Sequence, residues 1–397
     1  IVILKDGGAS IYDKHGTPIE KELMIADWDM EAAEKGGYEH FMLKEINEQP
    51  TAITNTISPR IKDGMPSLEE CGMTEEKLAS YNNIFVVACG TAMHAGLVGK
   101  YVIEQIGRIP VTVDVASEFR YTNPIITDKD LVIVVSQSGE TADTLEALKL
   151  SKKMGADTLA IVNVVGSSIA READMVIYTH AGPEISVAST KAYSVQVAVF
   201  YLFAFELAYA RGAISKEECM RLTKELQSIP TMLDVVLKQD QICKYVSSTL
   251  VNAENLLYIG RGLDYAMSME GSLKLKEISY IHSESYAAGE LKHGTISLVT
   301  ENMPVIAVAT QRNLFDKTVS NAKEVKARGG KVIFVTHNYI NVDDDVADYK
   351  IGVPTVDDLL MPLVTVVPLQ LIAYYTSVLR GNDVDKPRNL AKSVTVE

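Results

Sequence analysis

The chain of 397 residues is too long for one ordinary hydrophobic core, because domains usually contain about 100–200 residues, so two or three domains are expected. Its composition, with 47% hydrophobic and 23% charged residues, is that of a globular protein. The net charge of −14 argues against general binding to nucleic acids or anionic membranes, so a phosphate ligand would need a local site.

The cysteine and apolar patterns favour a cytoplasmic protein. The four cysteines are scattered, without a Cys-x-x-Cys motif or closely paired histidines, which argues against a disulfide framework and against a zinc site. The longest apolar run, residues 195–210, contains Gln196 and Glu206 and is shorter than the roughly 20 residues that a bilayer requires. We interpret it as a buried helix, and the start of the chain shows no export signal.

The first 29 residues alternate apolar and polar side chains and contain glycine-rich turn signals, which predicts hairpins. So few strands cannot build a core by themselves, and we interpret them as the end of a larger domain that is absent from this chain. A helical pattern follows over residues 30–49. The prolines at positions 50, 59 and 66 then indicate a connector.

An internal repeat with an offset of about 172 residues occupies the rest of the chain. Its landmarks are residues 84–90 with 256–262, residues 132–135 with 305–308, and residues 173–177 with 347–351. Three strand patterns agree to within about two residues, which indicates two copies of one domain.

Strand and helix patterns alternate in each copy, and each copy ends in a long helix. Near-continuous apolar strands, such as residues 131–135 and 332–335, are typical of parallel sheets that are covered on both faces. We therefore predict a doubly wound α/β fold in each copy. Ligands of such folds bind outside the carboxyl ends of the strands, where Gly90-Thr91 and the segment after residue 135 would lie.

A cluster of small polar residues follows the strand at residues 131–135 and precedes a helical run. It contains Ser136, Gln137, Ser138, Thr141 and Thr144. A helix N-terminus presents free backbone N–H groups and the positive end of the helix dipole, which suits a phosphate. One hydroxyl would be enough for a helix cap, so four hydroxyls favour an anion site.

The second copy carries a different polar pattern. Its helix from about residue 264, with Asp264 as the predicted cap, has Glu270, Lys274 and Glu277 on one face. This spacing fits either a solvated ion-pair stripe or carboxylates that point into a cleft. His293 follows in a glycine-bracketed loop, where a histidine is either an ordinary surface residue or a group that reaches a ligand.

Five motifs resemble the isomerase half of the glutamine:fructose-6-phosphate aminotransferase family, which makes glucosamine 6-phosphate. They are S-Q-S-G-E-T at 136–141, V-A-S-T-K at 187–191, K-L-K-E-I-S-Y at 274–280, G-E-L-K-H-G at 289–294 and R-N-L-A-K-S-V-T-V-E at 388–397. The resemblance implies two sugar isomerase (SIS) domains, each a five-stranded parallel sheet between helices, in a homodimer with the active site near the subunit boundary.

The resemblance also implies the domain boundaries. Residues 1–30 would be a remnant of the glutaminase domain, 31–75 a linker, 76–225 and 240–382 the two SIS domains, and 383–397 a tail that closes the active site. The cysteine nucleophile that opens the glutaminase domain of this family is absent. We therefore expect this chain not to hydrolyse glutamine.

The same resemblance implies the site residues. Those that would hold or line fructose 6-phosphate are Thr91, Ala92, Ser136, Gln137, Ser138, Thr141, Val187, Ser189 and Ala391, of which Ala92 stands where family members often have serine. Glu277, beside Lys274, would move the proton between C1 and C2. His293 would shuttle the ring proton, and Lys392 would form a Schiff base or assist ring opening. The last role requires an ordered tail, although the composition of the tail alone favours disorder.

No metal, flavin or nicotinamide is expected, because the isomerisation is internally redox neutral and Gly260-Arg261-Gly262 is only a fragment of a dinucleotide motif. One alternative function is a fructosamine 6-phosphate deglycase or a plain sugar-phosphate isomerase, which would lack the tail motif. A second alternative is a non-catalytic sugar-phosphate sensor, which would not need Glu277, His293 and Lys392 together.

Overall fold

The computed structural model describes residues 1–5, 8–20 and 34–396, and all structural statements below concern these residues. The N-terminal strands are β1 (Val2–Lys5), β2 (Gly8–Tyr12) and β3 (Pro18–Ile19). They form an antiparallel sheet, which confirms the predicted hairpins, and most of their side chains are exposed. The helical pattern predicted over residues 30–49 begins outside the described residues.

Helices occupy part of the predicted connector. This segment contains α1 (Phe41–Asn47), α2 (Gln49–Ile57), β4 (Ile61–Lys62), β5 (Met65–Pro66) and α3 (Glu75–Ser80). Pro50, which we interpreted as part of a connector, lies in the first turn of α2. A proline is tolerated there, since the N–H groups of the first turn have no acceptor within the helix.

Two five-stranded parallel sheets form the rest of the described chain. The first contains β6 (Asn83–Ala88), β7 (Val111–Val115), β8 (Asp130–Ser136), β9 (Asp157–Val162) and β10 (Met175–Tyr178). The second contains β11 (Asn255–Gly260), β12 (His282–Ala287), β13 (Pro304–Val308), β14 (Lys331–His337) and β15 (Tyr349–Val353). Both have the spatial order 2-1-3-4-5, which confirms the predicted repeat and the doubly wound fold class.

Helices cover both sheets. Around the first lie α4 (Gly90–Val102), α5 (Ala116–Phe119), α6 (Ala142–Lys153), α7 (Ser168–Glu172) and α8 (Lys191–Ala210). The connecting helices are α9 (Lys216–Leu237) and α10 (Asp240–Ser248), and the second domain contains α11 (Leu263–Ser279), α12 (Phe315–Lys326) and α13 (Met361–Leu379). Every residue of β8 is buried, as predicted for a strand covered on both faces.

Two of these helices, α8 and α13, are long and apolar enough to cross a membrane. In the fold, 94% of the apolar window of α8 and 83% of that of α13 are buried inside the protein. They are therefore core helices, which agrees with the interpretation of residues 195–210 as a buried helix.

The order of the strands determines where a ligand can enter the first domain. The central strands β6 and β8 pair in parallel, with Ala88 opposite Val135, so their carboxyl ends meet at one edge. The chain leaves these strands in opposite directions, which opens a crevice at this edge in doubly wound folds. Residues 90–91 and 136–141 lie there, as predicted.

A buried carboxyl group gives the fold a pH-dependent stability. Glu206 of α8 accepts a hydrogen bond from the backbone N–H of Leu68 (2.9 Å), and burial raises its pKa from 4.5 to about 8. Between these two values the folded protein keeps the proton that the unfolded chain releases. Folded stability must therefore fall as the pH rises through this window.

We expect the variant Glu206→Gln to gain stability relative to the parent as the pH rises from 4.5 to 8, by at most about 1.4 kcal/mol for each pH unit. Urea unfolding at several pH values measures this difference. Glu76→Gln, at an exposed position of α3, is the control. A stability difference for Glu206→Gln that does not change with pH would contradict the assignment.

Candidate active site

The loop at residues 136–141 gathers hydroxyl groups and backbone N–H groups at the N-terminus of α6. Ser136 Oγ accepts the Gly139 N–H and lies 3.0 Å from Thr141 Oγ1, and Ser138 Oγ accepts the Glu140 N–H (3.2 Å). Gly139 has a φ of +67°, and a Cβ atom there would overlap Ser167. The loop therefore has the donors and the helix terminus of an anion site.

The C-terminal tail is ordered and packs on this loop. Ser393 Oγ donates to Ser138 Oγ (3.0 Å), and the carbonyl of Val394 accepts the N–H of Ala142 in the first turn of α6 (3.2 Å). The disorder that the composition favours is therefore wrong for the tail up to residue 396, and residue 397 lies outside the described residues. The tail covers the loop, as its predicted closing role requires.

Lys392 of the tail binds a buried carboxylate that the sequence analysis did not identify. Its Nζ donates to Glu184 Oε2 (2.5 Å) and to the carbonyl of Ser186 (2.8 Å). Glu184 also accepts hydrogen bonds from Ser189 Oγ (2.8 Å) and from the backbone N–H of Thr190 (2.9 Å). Burial acts to raise the pKa of Glu184, but Lys392 and these donors outweigh it and lower the pKa to about 2.

Glu184 is therefore ionised at neutral pH, and it binds the Lys392 amine of the tail. The signal in the sequence that could have identified Glu184 was its position three residues before Val187, where the V-A-S-T-K motif begins.

A second cluster joins helices α4 and α11, which belong to different domains. The fully buried Glu270 accepts a hydrogen bond from Thr91 Oγ1 (3.2 Å) and pairs with His94 Nδ1 (2.8 Å). Lys274 Nζ lies 3.6 Å from Glu270 and 2.5 Å from Glu277 Oε2. The solvated-stripe interpretation is wrong, because Glu270 and Lys274 are buried between the domains.

The charges of this cluster keep Lys274 protonated. Burial acts to lower the pKa of Lys274, but the carboxylates of Glu277 and Glu270 outweigh it and raise the pKa above its usual value. Glu184 contributes in the same direction, which places the two clusters within electrostatic range of each other. The Glu277 side chain remains 20% exposed, so it is accessible to a ligand.

Other predicted residues lie at the margin of these clusters. Val187 donates its N–H to the carbonyl of Asp385 at the start of the tail (3.0 Å), and Gln137 accepts the Asn163 N–H through its own carbonyl (3.2 Å). Ala92 is half-buried in the first turn of α4, whereas Ala391 is exposed.

Within a single chain, the predicted residue His293 does not lie at the candidate site. The segment predicted as a loop is instead the end of β12 followed by a 3₁₀ turn, Ala288–His293, at the edge of the second domain. The side chain of His293 is exposed, and among the described residues it makes no hydrogen bond or ion pair with either cluster. A role for His293 therefore requires another surface beside it.

In the second domain, a carboxylate lies at the carboxyl end of strand β13. Asp264 is not the cap of α11, because it lies inside the helix, and Gly262 is at the N-cap position. Its carboxylate accepts the backbone N–H of Thr310 (2.8 Å), the Thr310 hydroxyl and the N–H of Gln311 (3.0 Å). Burial raises the pKa of Asp264 to about 6 despite these donors. The N–H groups that could bind an anion after β13 are therefore already satisfied, as the prediction of one phosphate site requires.

Removing this carboxylate should destabilise the protein. In Asp264→Ala the N–H groups of Thr310 and Gln311 lose their buried acceptor, so we expect a loss of about 2–4 kcal/mol in the free energy of unfolding. Urea unfolding measures the loss, and Asp316→Ala, at an exposed position in the first turn of α12, is the control. Equal losses in the two variants would contradict the internal role of Asp264.

Comparisons with known proteins identify the family of the two domains. The family model of the SIS domain matches residues 77–205 and 249–380. The chain is 55% identical to the glutamine–fructose-6-phosphate aminotransferase [isomerizing] of Caldanaerobacter subterraneus subsp. tengcongensis and 53% identical to that of Clostridium tetani. Both matches cover 100% of this chain, which spans 66% and 65% of the lengths of these relatives.

Solved structures show the same similarity. The C-terminal domain of glucosamine-fructose-6-phosphate aminotransferase from Francisella tularensis matches with a TM-score of 0.85 and 41% identity, over 89% of this chain and 100% of that chain. A putative phosphosugar isomerase from Silicibacter pomeroyi matches with a TM-score of 0.73 and 25% identity, over 87% and 99%. The chain therefore belongs to the SIS domain family and, within it, matches the isomerase half of the glutamine–fructose-6-phosphate aminotransferases.

Proposed function

We propose that this chain converts fructose 6-phosphate and ammonia into glucosamine 6-phosphate, as the isomerase part of a glutamine–fructose-6-phosphate aminotransferase. The observation that carries the proposal is that the C-terminal tail packs on the loop at residues 136–141, which we call the hydroxyl-rich loop. Ser393, the residue that follows Lys392, contacts Ser138 of the candidate phosphate site, which supports a position of Lys392 near the bound sugar. A plain sugar-phosphate isomerase or a sensor would not require this lysine.

The phosphate group binds at residues 136–141 in this proposal. Ser136, Ser138 and Thr141 supply hydroxyl donors, and the first turn of α6 supplies N–H groups and the positive end of the helix dipole. Gln137, Thr91 and Ala92 line the sugar from the same edge of the sheet. Val187, Ser189 and Ala391 line the opposite side, where the tail closes.

The chemistry begins when the ring opens and exposes the C2 carbonyl. Ammonia adds to C2 and water leaves, which gives an imine. Glu277 then takes a proton from C1 and returns it to C2, while the proton of the C1 hydroxyl passes to the imine nitrogen, so that C1 becomes the aldehyde carbon and C2 carries the amine. One carboxylate serves both carbons, because they are neighbours in a planar intermediate. The protonated Lys274, 2.5 Å from Glu277, keeps this carboxylate in place.

Lys392 acts on the open sugar before ammonia does. Positioned by Glu184 and the Ser186 carbonyl, the amine releases its proton to solvent and either assists ring opening or forms a Schiff base at C2 with loss of water. In the second case ammonia displaces the lysine from C2 to give the imine. The tail must move for the substrate to enter, and its closure excludes water from the imine.

His293 is the proton shuttle for ring opening, and the site is completed in a homodimer. The exposed position of His293 supports this proposal, because it leaves the imidazole free to reach the site of a second copy. A cytoplasmic location fits sugar-phosphate substrates.

The isomerase part of this proposal is tested by proton NMR of fructose 6-phosphate with the protein in deuterated buffer. The parent is expected to form glucose 6-phosphate with deuterium at C2, and Lys392→Ala is expected to lose at least about 100-fold in rate. Equal rates in the two proteins would favour a plain sugar-phosphate isomerase. Binding without any product would favour a sensor. A second run with ammonium chloride should give glucosamine 6-phosphate.

The phosphate site has its own test, because Gly139 cannot carry a side chain. In Gly139→Ala the added methyl group would overlap Ser167 and strain a left-handed residue, so the loop must shift. We expect the Kd for fructose 6-phosphate to rise about tenfold or more in calorimetric titrations. The control is Gly155→Ala, which has a φ of +94° and no neighbour within 4 Å of the added atom. An unchanged Kd in Gly139→Ala would contradict the assignment.

A further inference from the structure

Helix α1, which leads into the first SIS domain, is attached to the tail. The carboxylate of Asp385 accepts the backbone N–H groups of Phe41 (2.9 Å) and Met42 (2.8 Å) at the start of this helix. His40 Nδ1 lies 2.9 Å from the hydroxyl of Tyr374 in α13. The helix is therefore fixed against the segment of chain that continues to Lys392.

The other half of α1 contacts the backbone that holds Lys392. Glu45 is 1% exposed, and its Oε1 accepts the N–H groups of Ile185 (2.5 Å) and Ser186 (3.2 Å). Lys392 binds the same short segment through Glu184 and the Ser186 carbonyl. Residues 184–186 thus have hydrogen bonds both to Glu45 and to the amine.

Glu45 can accept these hydrogen bonds as a neutral carboxyl group. Burial and the neighbouring Glu184 carboxylate raise the pKa of Glu45 to about 8. The raised pKa favours the neutral carboxyl group, which adds little negative charge beside Glu184. Glutamine therefore has nearly the same size, charge and acceptor as this carboxyl group, whereas aspartate is one methylene shorter.

We infer that Glu45 is a positioning residue for Lys392, which fixes residues 184–186 so that Glu184 and the Ser186 carbonyl both face the amine. This inference rests on the proposed function, since it assigns Glu45 an effect on the reaction of Lys392. Glu45 itself touches neither the hydroxyl-rich loop nor Glu277 by any hydrogen bond of the described chain. Its effect should therefore fall on the rate and not on substrate binding.

The test compares Glu45→Asp with Glu45→Gln in the isomerisation of fructose 6-phosphate. Shortening the side chain should draw its acceptor away from residues 185–186 and lower kcat on the order of tenfold or more, with KM within about twofold of the parent. Glu45→Gln should recover most of this loss. The control is Glu206→Asp, which shortens another buried carboxyl that accepts one backbone N–H, and it should leave kcat unchanged.

A second measurement does not depend on catalysis. Acetylation of Lys392 by acetic anhydride, followed by mass spectrometry, should be faster by about twofold or more in Glu45→Asp, because the amine is held less firmly. An unchanged kcat and acetylation rate in Glu45→Asp, or equal losses in the Asp and Gln variants, would overturn the inference. A parent protein that does not isomerise the sugar would instead contradict the proposed function, and the acetylation rates would then decide the role of Glu45.

Discussion

The buried carboxylate of Glu270 is the constraint on which the candidate site depends. Removal of a charge from water costs several kcal/mol unless partners compensate it. These partners are Thr91 and His94 from the first domain and Lys274 from its own helix. Helices α4 and α11 must therefore stay together, and the same lysine orients Glu277. The same group of contacts therefore holds the two domains together and orients Glu277, the candidate base.

The two copies of the domain keep one fold but differ at the edge where ligands bind. Backbone N–H groups at a strand end need an acceptor when they are removed from water. In the first copy the acceptors are the Ser136 and Ser138 hydroxyls and a carbonyl of the tail, and a ligand can replace or extend them. In the second copy Asp264 satisfies these groups permanently. The first copy is therefore the candidate binding copy, whereas the strand end of the second copy has an internal acceptor.

Beyond Val384, which is buried in the hydrophobic core, the tail is held mainly by polar contacts. Lys392 binds Glu184, Ser393 contacts Ser138, and the Arg388 guanidinium lies 4.1 Å from the centre of the Tyr280 ring. The contacts of Ser393 and Arg388 contribute little net stability, because water can replace either partner. The pair of Lys392 with Glu184 is stronger, because opening it leaves a buried carboxylate without its cation.

The sequence by itself determined the repeat, the doubly wound class and the edge where the site lies, because strand and helix periodicity records burial locally. The run of small polar residues after the strand predicted the hydroxyl-rich loop, and the family motifs led to Lys392. Only the tertiary structure decided which charged residues are buried. Thr91 and Glu270 are 179 positions apart, so no local pattern could distinguish a cleft from a solvated stripe. The same holds for Glu184, for Asp264 and for the exposed position of His293. Burial and pairing there depend on which helices and loops meet in space, and that is a property of the whole fold.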